Sequence, residues 1–196
     1  ATGTEQDIGD TGVSISVINE AEILDQQSFA ISDLLQELPG VNVTQSGGFG
    51  SQTSVRIRGA EADQTLVLIN GIRVNDPSAP DGSFDFGNLL AGNIERIEVL
   101  RGANSVAWGS QALGGVVNVT TRRPTEDISV FAQGEYGAND TVRLVSNASG
   151  QFGPVGLSLG GGYTRTDGIS AFSGGTERDG YRQCSASGML TVELTD

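Results

Sequence analysis

Apolar and polar positions alternate over Val13–Ile18, where Val13, Ile15 and Val17 interleave with small polar side chains; that period of two predicts a half-buried strand. The period then lengthens. Ile31, Leu34, Leu35 and Leu38 recur at spacings of three and four within Ser28–Leu38, the apolar face of an amphipathic helix. Ser28 or Ser32 is placed to cap this helix, and Pro39-Gly40 to end it. Period two returns in Val41–Gln45 and, after the soft loop Ser46–Thr53, in Ser54–Arg58, where Val55 and Ile57 alternate with Arg56 and Arg58. Thr65–Ile69 is an apolar strand. The Asn70-Gly71 dipeptide and Ile72–Asn75 after it predict a tight hairpin over Leu66–Val74. Asp76–Gly87, rich in Pro, Gly, Ser and Asp, is a loop. In Asn93–Arg122, Ile94, Ile97, Val99 and Leu100 interleave with Glu95, Arg96, Glu98 and Arg101; glycines then break the chain before Val116–Thr121, so the segment reads as strand, glycine-dependent corner, strand.

The composition changes near Arg122–Pro124, which divides the chain into residues 1–124 and 125–196. Beyond it every segment reads as strand and turn. Ile128–Tyr136, Thr141–Gln151, Val155–Thr164 and Tyr181–Leu194 each run to roughly ten residues, the length a tilted membrane strand requires. Each alternates. In the last, Cys184, Ala186, Gly188, Leu190, Val192 and Leu194 share one face, and Gln183, Ser185, Ser187, Thr191 and Glu193 share the other. Two physical settings fit that division: lipid outside with a wet lumen inside, or a soluble antiparallel sheet with its apolar side inward. Gly137–Asp140 and Gly150–Pro154 are tight connections, whereas Asp167–Gly180 is a long polar loop, the short-and-long alternation of outer-membrane barrels.

Composition narrows the chemistry. Glycine, 29 of 196 residues, stands at twice its usual share and implies many tight turns and close backbone approaches. The net charge of −13 opposes binding to nucleic acid. With no histidine and only Cys184, Ser-His-Asp and Cys-His catalysis are excluded, and so is any disulfide within the chain. No apolar run approaches the roughly 18 residues of a membrane helix, and Ala1–Asp10 lacks the basic start and apolar middle of a signal peptide. Phosphate-loop, dinucleotide and EF-hand spacings are absent, and no two acids form a glycosidase-like pair, so no enzyme activity is expected.

Four phrases, in this order, resemble the plug domain of TonB-dependent outer-membrane receptors: ISDLLQELPGVNV (Ile31–Val43), SVRIRG (Ser54–Gly59), TLVLINGIRVND (Thr65–Asp76) and IERIEVLRGANSVAWGSQALGGVVNVTT (Ile94–Thr121). Residues from Ile128 onward resemble the first barrel strands of the same family, with the stretch GYTRTDGISAFSGGTERDGY closest to its cobalamin-transporting members. The resemblance implies an α+β plug of mixed small sheets with short helices, followed by about four antiparallel strands of an incomplete 22-stranded transmembrane β-barrel. It implies a bacterial outer-membrane receptor that takes up cobalamin or a ferric-siderophore-type chelate. TonB would supply the energy by capturing an N-terminal box through strand addition. Ala1-Thr2-Gly3-Thr4 resembles the residues just after such a box, so the box itself is not expected within this sequence. A ligand- or phage-binding module without transport is the alternative.

By the same resemblance, the ligand-facing segments are Gln45–Gln52, with Gln45, Phe49 and Gln52, and Asn75–Gly87, with Asn75, Asp81 and Phe84. Their glycines admit close backbone approach, their amides and acids offer hydrogen bonds, and Phe49, Phe84 and Phe86 offer contact area. The plain alternative is a pair of surface loops. Thr176–Gly180 falls where the cobalamin transporters carry a calcium loop, making Asp167, Glu177 and Asp179 candidate calcium ligands, against a merely solvated charged loop in which Arg178 sits among the acids. Otherwise no cofactor is required. Glu95, Arg96, Glu98 and Arg101 either lock a plug into a barrel wall, as the family implies, or form ordinary cross-strand pairs. Trp108 is expected in the plug core. Four strands cannot close a barrel, so Ile128–Tyr136 and Tyr181–Leu194 are expected to expose open edges to the rest of a barrel or to another copy.

Overall fold

The computed structural model describes residues 14–26, 28, 30–76, 78, 82–89, 91–103, 108–109, 111–170, 172 and 174–193. They fall into two compact units, one within Ala1–Ser46 and Ser51–Thr121, the other within Gly47–Gly50 and Arg122–Asp196. The expectations for Val13, Leu194 and the N-terminal Ala1–Asp10 lie outside the described residues.

In chain order the first unit contains strand β1 (Ser14–Asn19), helices α1 (Glu20–Gln26) and α2 (Ile31–Gln36), and strands β2 (Val41–Gln45), β3 (Thr53–Ile57), β4 (Thr65–Ile69), β5 (Ile72–Arg73), β6 (Ile94–Arg101) and β7 (Gly115–Thr121). Five strands form one sheet in the order β1-β6-β7-β4-β5, and β2 pairs with β3 apart from it. All pairings are antiparallel except β4 with β7.

Local chemistry accounts for most of these boundaries. Helix α1, which periodicity does not predict, opens with a reciprocal cap: Asn19 N–H donates to Glu22 Oε2 at 2.9 Å, and Glu22 N–H to Asn19 Oδ1 at 3.0 Å. Helix α2 is shorter than its apolar period and neither serine caps it. Ala30 is the cap residue, its N–H donating to Asp33 Oδ2 at 3.0 Å, while Ser32 is buried within the helix. Strand β3 stops before Arg58, whose φ of +54° takes the chain out of the extended region. Between β4 and β5, Asn70 and Gly71 have φ of +52° and +79°, the type I′ turn that the dipeptide predicts.

Apolar side chains cover both faces of the five-stranded sheet. On one, Ile18, Ile97, Val99, Val117, Val119 and Val67 pack with Ile23, Ile31, Leu34, Leu35, Val55, Ile57 and Phe86. On the other, Leu66, Leu68, Leu100, Ala112 and Val116 pack with Ile15 and Trp108, so the tryptophan sits where the core expectation puts it. The Gly114-Gly115 pair is required by space. A Cβ on Gly115 would stand 2.4 Å from the Leu100 carbonyl oxygen and 2.8 Å from Ile57 Cδ1, and one on Gly114 would stand 2.6 Å from Ala60 Cβ.

The second unit is an antiparallel meander of β8 (Ser129–Gly137), β9 (Thr141–Phe152), β10 (Val155–Thr166) and β11 (Tyr181–Val192). Registers run without a slip: Ala132 lies opposite Ser146, Ser146 opposite Gly161, and Gly161 opposite Ala186. Asn139 and Asp140 turn β8 into β9 with φ of +57° and +51°, the left-handed region these residue types tolerate. Among the described residues β8 and β11 each have one strand neighbour, as the open-edge expectation requires.

This sheet exposes apolar side chains while its middle strands, β9 and β10, bury polar ones. Val130, Leu144, Leu159 and Leu190 are 75%, 51%, 52% and 65% exposed, while Arg143, Asn147, Ser149, Ser158, Thr164 and Thr166 are buried. In water, leaving these apolar side chains exposed forgoes the free energy of burying them, whereas the buried polar ones are paired, Asn147 Nδ2 with Ser158 Oγ and Arg143 with Glu135. Lipid on the apolar side removes that loss. Apolar exposure thus weighs against the soluble-sheet alternative.

Candidate functional site

The first candidate loop leaves β2 and returns into β3. Gln45 pairs with Thr53 in the last rung of that hairpin, and Ser46 N–H donates to the Gln52 carbonyl at 3.0 Å, closing the loop at its base. Gln45 and Gln52 are exposed and Phe49 is 50% exposed, so all three present surface to solvent.

The second candidate loop is built differently. Asn75 is only 7% exposed. Its Oδ1 accepts from Val67 N–H at 2.8 Å, and its Nδ2 donates to the carbonyls of Thr65 at 3.1 Å and Gly82 at 3.4 Å. The side chain thereby extends the ladder along β4 and pins the far end of its own loop, with its amide directed at backbone rather than solvent. Asp76 Oδ1 accepts from Ser78 N–H at 2.8 Å and Ser78 Oγ at 2.7 Å, a local turn bond. Asp81 lies outside the described residues. Phe84 is half-buried and meets the buried Phe86 edge to face, ring centroids 4.9 Å apart.

Asn75→Asp should reveal how much the second loop depends on this amide. The substitution keeps the shape but turns an oxygen toward two carbonyls that have lost their donor, costing roughly 2–3 kcal/mol in denaturant titration. A change below about 0.5 kcal/mol would show that water replaces the amide without loss.

Sequence reasoning passed over Asp85, which joins the roots of the two loops. Its Oδ1 accepts from Thr53 N–H at 2.8 Å and from Gly87 N–H at 2.9 Å. Asp two residues before Gly signals the local turn bond; nothing in the sequence signals the bond to Thr53.

The candidate calcium ligands are not brought together. Asp167 bonds Arg165 Nη2 through Oδ1 at 3.3 Å and Arg178 Nη1 through Oδ2 at 3.4 Å. Glu177 Oε1 instead accepts from Ser170 Oγ at 3.3 Å. Among the described residues no three acidic or cysteine side chains converge as a metal site. Two guanidinium groups occupy the Asp167 carboxylate that a cation would need.

On β6, Glu98 is buried; it pairs with Arg96 Nε at 3.1 Å and accepts from Asn118 Nδ2 on β7 at 3.2 Å. Arg101, also buried, donates to Ser14 Oγ at 3.3 Å and Ser16 Oγ at 2.6 Å on β1. Burial and the neighbouring Arg58 both push the Arg101 guanidinium below its ordinary pKa.

Comparison with known proteins agrees with this architecture. The family profile of the TonB-dependent Receptor Plug Domain matches residues 7–116. The chain is 37% identical over 172 residues to the Vitamin B12 transporter BtuB of Vibrio vulnificus, a match covering 84% of this chain and 27% of that protein. Among solved structures, the siderophore receptor PirA from Acinetobacter baumannii superimposes with a TM-score of 0.67 at 28% identity, covering 93% of this chain and 29% of that one. The ferripyoverdine receptor of the outer membrane of Pseudomonas aeruginosa superimposes with a TM-score of 0.79 at 21% identity, covering 95% and 24%, and shows likeness of fold. The chain spans about a quarter of the length of these relatives. Its plug sequence, its mixed sheet and the antiparallel strands after it place this chain in the family of TonB-dependent receptors.

Proposed function

We propose that the chain forms the plug and opening barrel strands of a bacterial outer-membrane receptor that takes up cobalamin or a ferric-siderophore-type chelate with energy from TonB. The observation that carries the membrane part is the β8–β11 sheet's exposed apolar row, Val130, Leu144, Leu159 and Leu190. The ligand classes follow from the relatives, a vitamin B12 transporter and siderophore receptors. Exposed Gln45, Phe49 and Gln52 supply hydrogen-bonding groups and an aromatic surface for such a ligand, and Phe84 a partly open one. A corrin or a chelate is large and carries both polar and apolar edges, which suits that mixture.

The test is uptake by the whole receptor in cells, with cyanocobalamin and ferric enterobactin supplied in parallel, with and without TonB. One ligand should show saturable uptake that disappears without TonB. Saturable binding with no TonB-dependent uptake would replace this reading with that of a binding module.

A further inference from the structure

Resting on the reading of the two loops as ligand-facing, we infer that Asp85 is a positioning residue that fastens the return end of the first loop to the end of the second. One oxygen of its carboxylate, Oδ1, receives the N–H of Thr53 from the end of the first loop and that of Gly87 from the end of the second. Thr53 and Asp85 lie 32 residues apart in sequence, so this is a tertiary contact. A carboxylate oxygen facing two peptide N–H groups makes charge-assisted bonds, shorter and stronger than neutral ones.

A second contact at the same seam is independent of the carboxylate. A Cβ on Gly87 would stand 2.2 Å from the Ser51 carbonyl oxygen, so the two backbones meet there without room for a methyl group. Ser51 is held in turn, its carbonyl accepting from Thr53 Oγ1 at 2.9 Å. The far side of the second loop is tied separately, Asn75 Nδ2 donating to the Gly82 carbonyl. The first loop is closed by Ser46 N–H on the Gln52 carbonyl. Each loop therefore has a closed base, and the bases are joined through Asp85 and Gly87.

Such fastening lowers the ordering cost of binding, because the joined loop ends need not be immobilised by the ligand. Asp85 thus governs affinity without itself being required to touch the ligand.

The test is residue-resolved amide exchange in the whole receptor, with ligand binding measured beside it. In Asp85→Ala, exchange at Thr53 and Gly87 should accelerate by about tenfold or more, as expected when a charge-assisted bond is lost, and the acceleration should reach Ser46–Gln52. Asp85→Asn retains the acceptor oxygen and should restore most of the protection. Gly87→Ala keeps Asp85 but forces the seam apart, so it should loosen both loops as well. In the same receptor, Asp85→Ala should weaken binding of whichever probe the wild type binds, cyanocobalamin or ferric enterobactin, and Asp85→Asn should recover it.

Acceleration confined to Asp85–Gly87, with Thr53 and Ser46–Gln52 unchanged, would overturn the fastening whatever the ligand. Joint loosening of the loops with unchanged affinity would sustain the fastening and remove these loops from the ligand site. Failure of the wild type to bind either probe while the loops still loosen together would count against the proposed ligand classes alone.

Discussion

Phe86→Ala is expected to destabilise the plug by about 3–5 kcal/mol, the usual cost of emptying a buried aromatic position. Phe86 is 1% exposed and belongs to the cluster that includes Ile31, Leu34, Val55, Ile57 and Val99. It also forms the edge-to-face contact with Phe84, which the substitution removes. Helix α2, the β2–β3 hairpin and the main sheet all contribute to that cluster, so a cavity there cannot close by moving one loop. Guanidinium titration of this chain in detergent, followed through the fluorescence of Trp108, its one tryptophan, gives the measurement. Phe49→Ala is the companion variant: half-exposed on its loop, Phe49 should change stability by no more than about 0.5 kcal/mol. Equal effects of the two would mean that Phe86 is not a core residue.

Leu159→Arg separates membrane from water as the surroundings of the strands. Leu159 lies near the middle of β10, opposite Ala148 and Gly188, on the face that also carries Leu144 and Leu190. At 52% exposure in a soluble sheet, the exchange would alter stability by about 0.5 kcal/mol or less. On the lipid face of a barrel it costs roughly 2–4 kcal/mol near the bilayer midplane. The whole receptor folded into lipid vesicles and titrated with denaturant reads the difference. A near-neutral result would remove lipid from that face and with it the membrane part of the proposed function.

Short-range chemistry was legible wherever one residue type answers one local need. Asn70-Gly71 specified its turn because both positions have φ above zero and these two residues accept that conformation at little cost. The alternation in β8–β11 was legible because a strand has a period of two whichever solvent surrounds it. Helix α1 was missed because its seven residues bury only Ile23, which leaves no periodicity to read. Its capping pair, Asn19 and Glu22, was nonetheless written in the sequence. Helix α2 came out shorter than its apolar spacing because Leu38 packs against the core from beyond the last helical turn.

The candidate site was legible only in part, and the reason is distance along the chain. Gln45, Phe49 and Gln52 present surface, as loop composition suggests. Asn75 and Asp85 look alike in sequence, each a polar residue in a polar loop, yet one is buried against the β4 backbone and the other bridges to Thr53. Asp167 and Arg178 lie 11 residues apart, and no spacing rule indicates that the arginine takes the carboxylate first proposed for calcium.

Taken alone, the amino-acid order determined the strands, the tight turns, the exclusion of histidine- and cysteine-based catalysis and the resemblance to a family, since each depends on neighbours a few positions away. Tertiary structure alone decided which side chains of β9 and β10 are buried, which phenylalanine fills the core and which carboxylate fastens two loop ends. Those outcomes depend on what lies across space from each side chain, and periodicity carries no information about that.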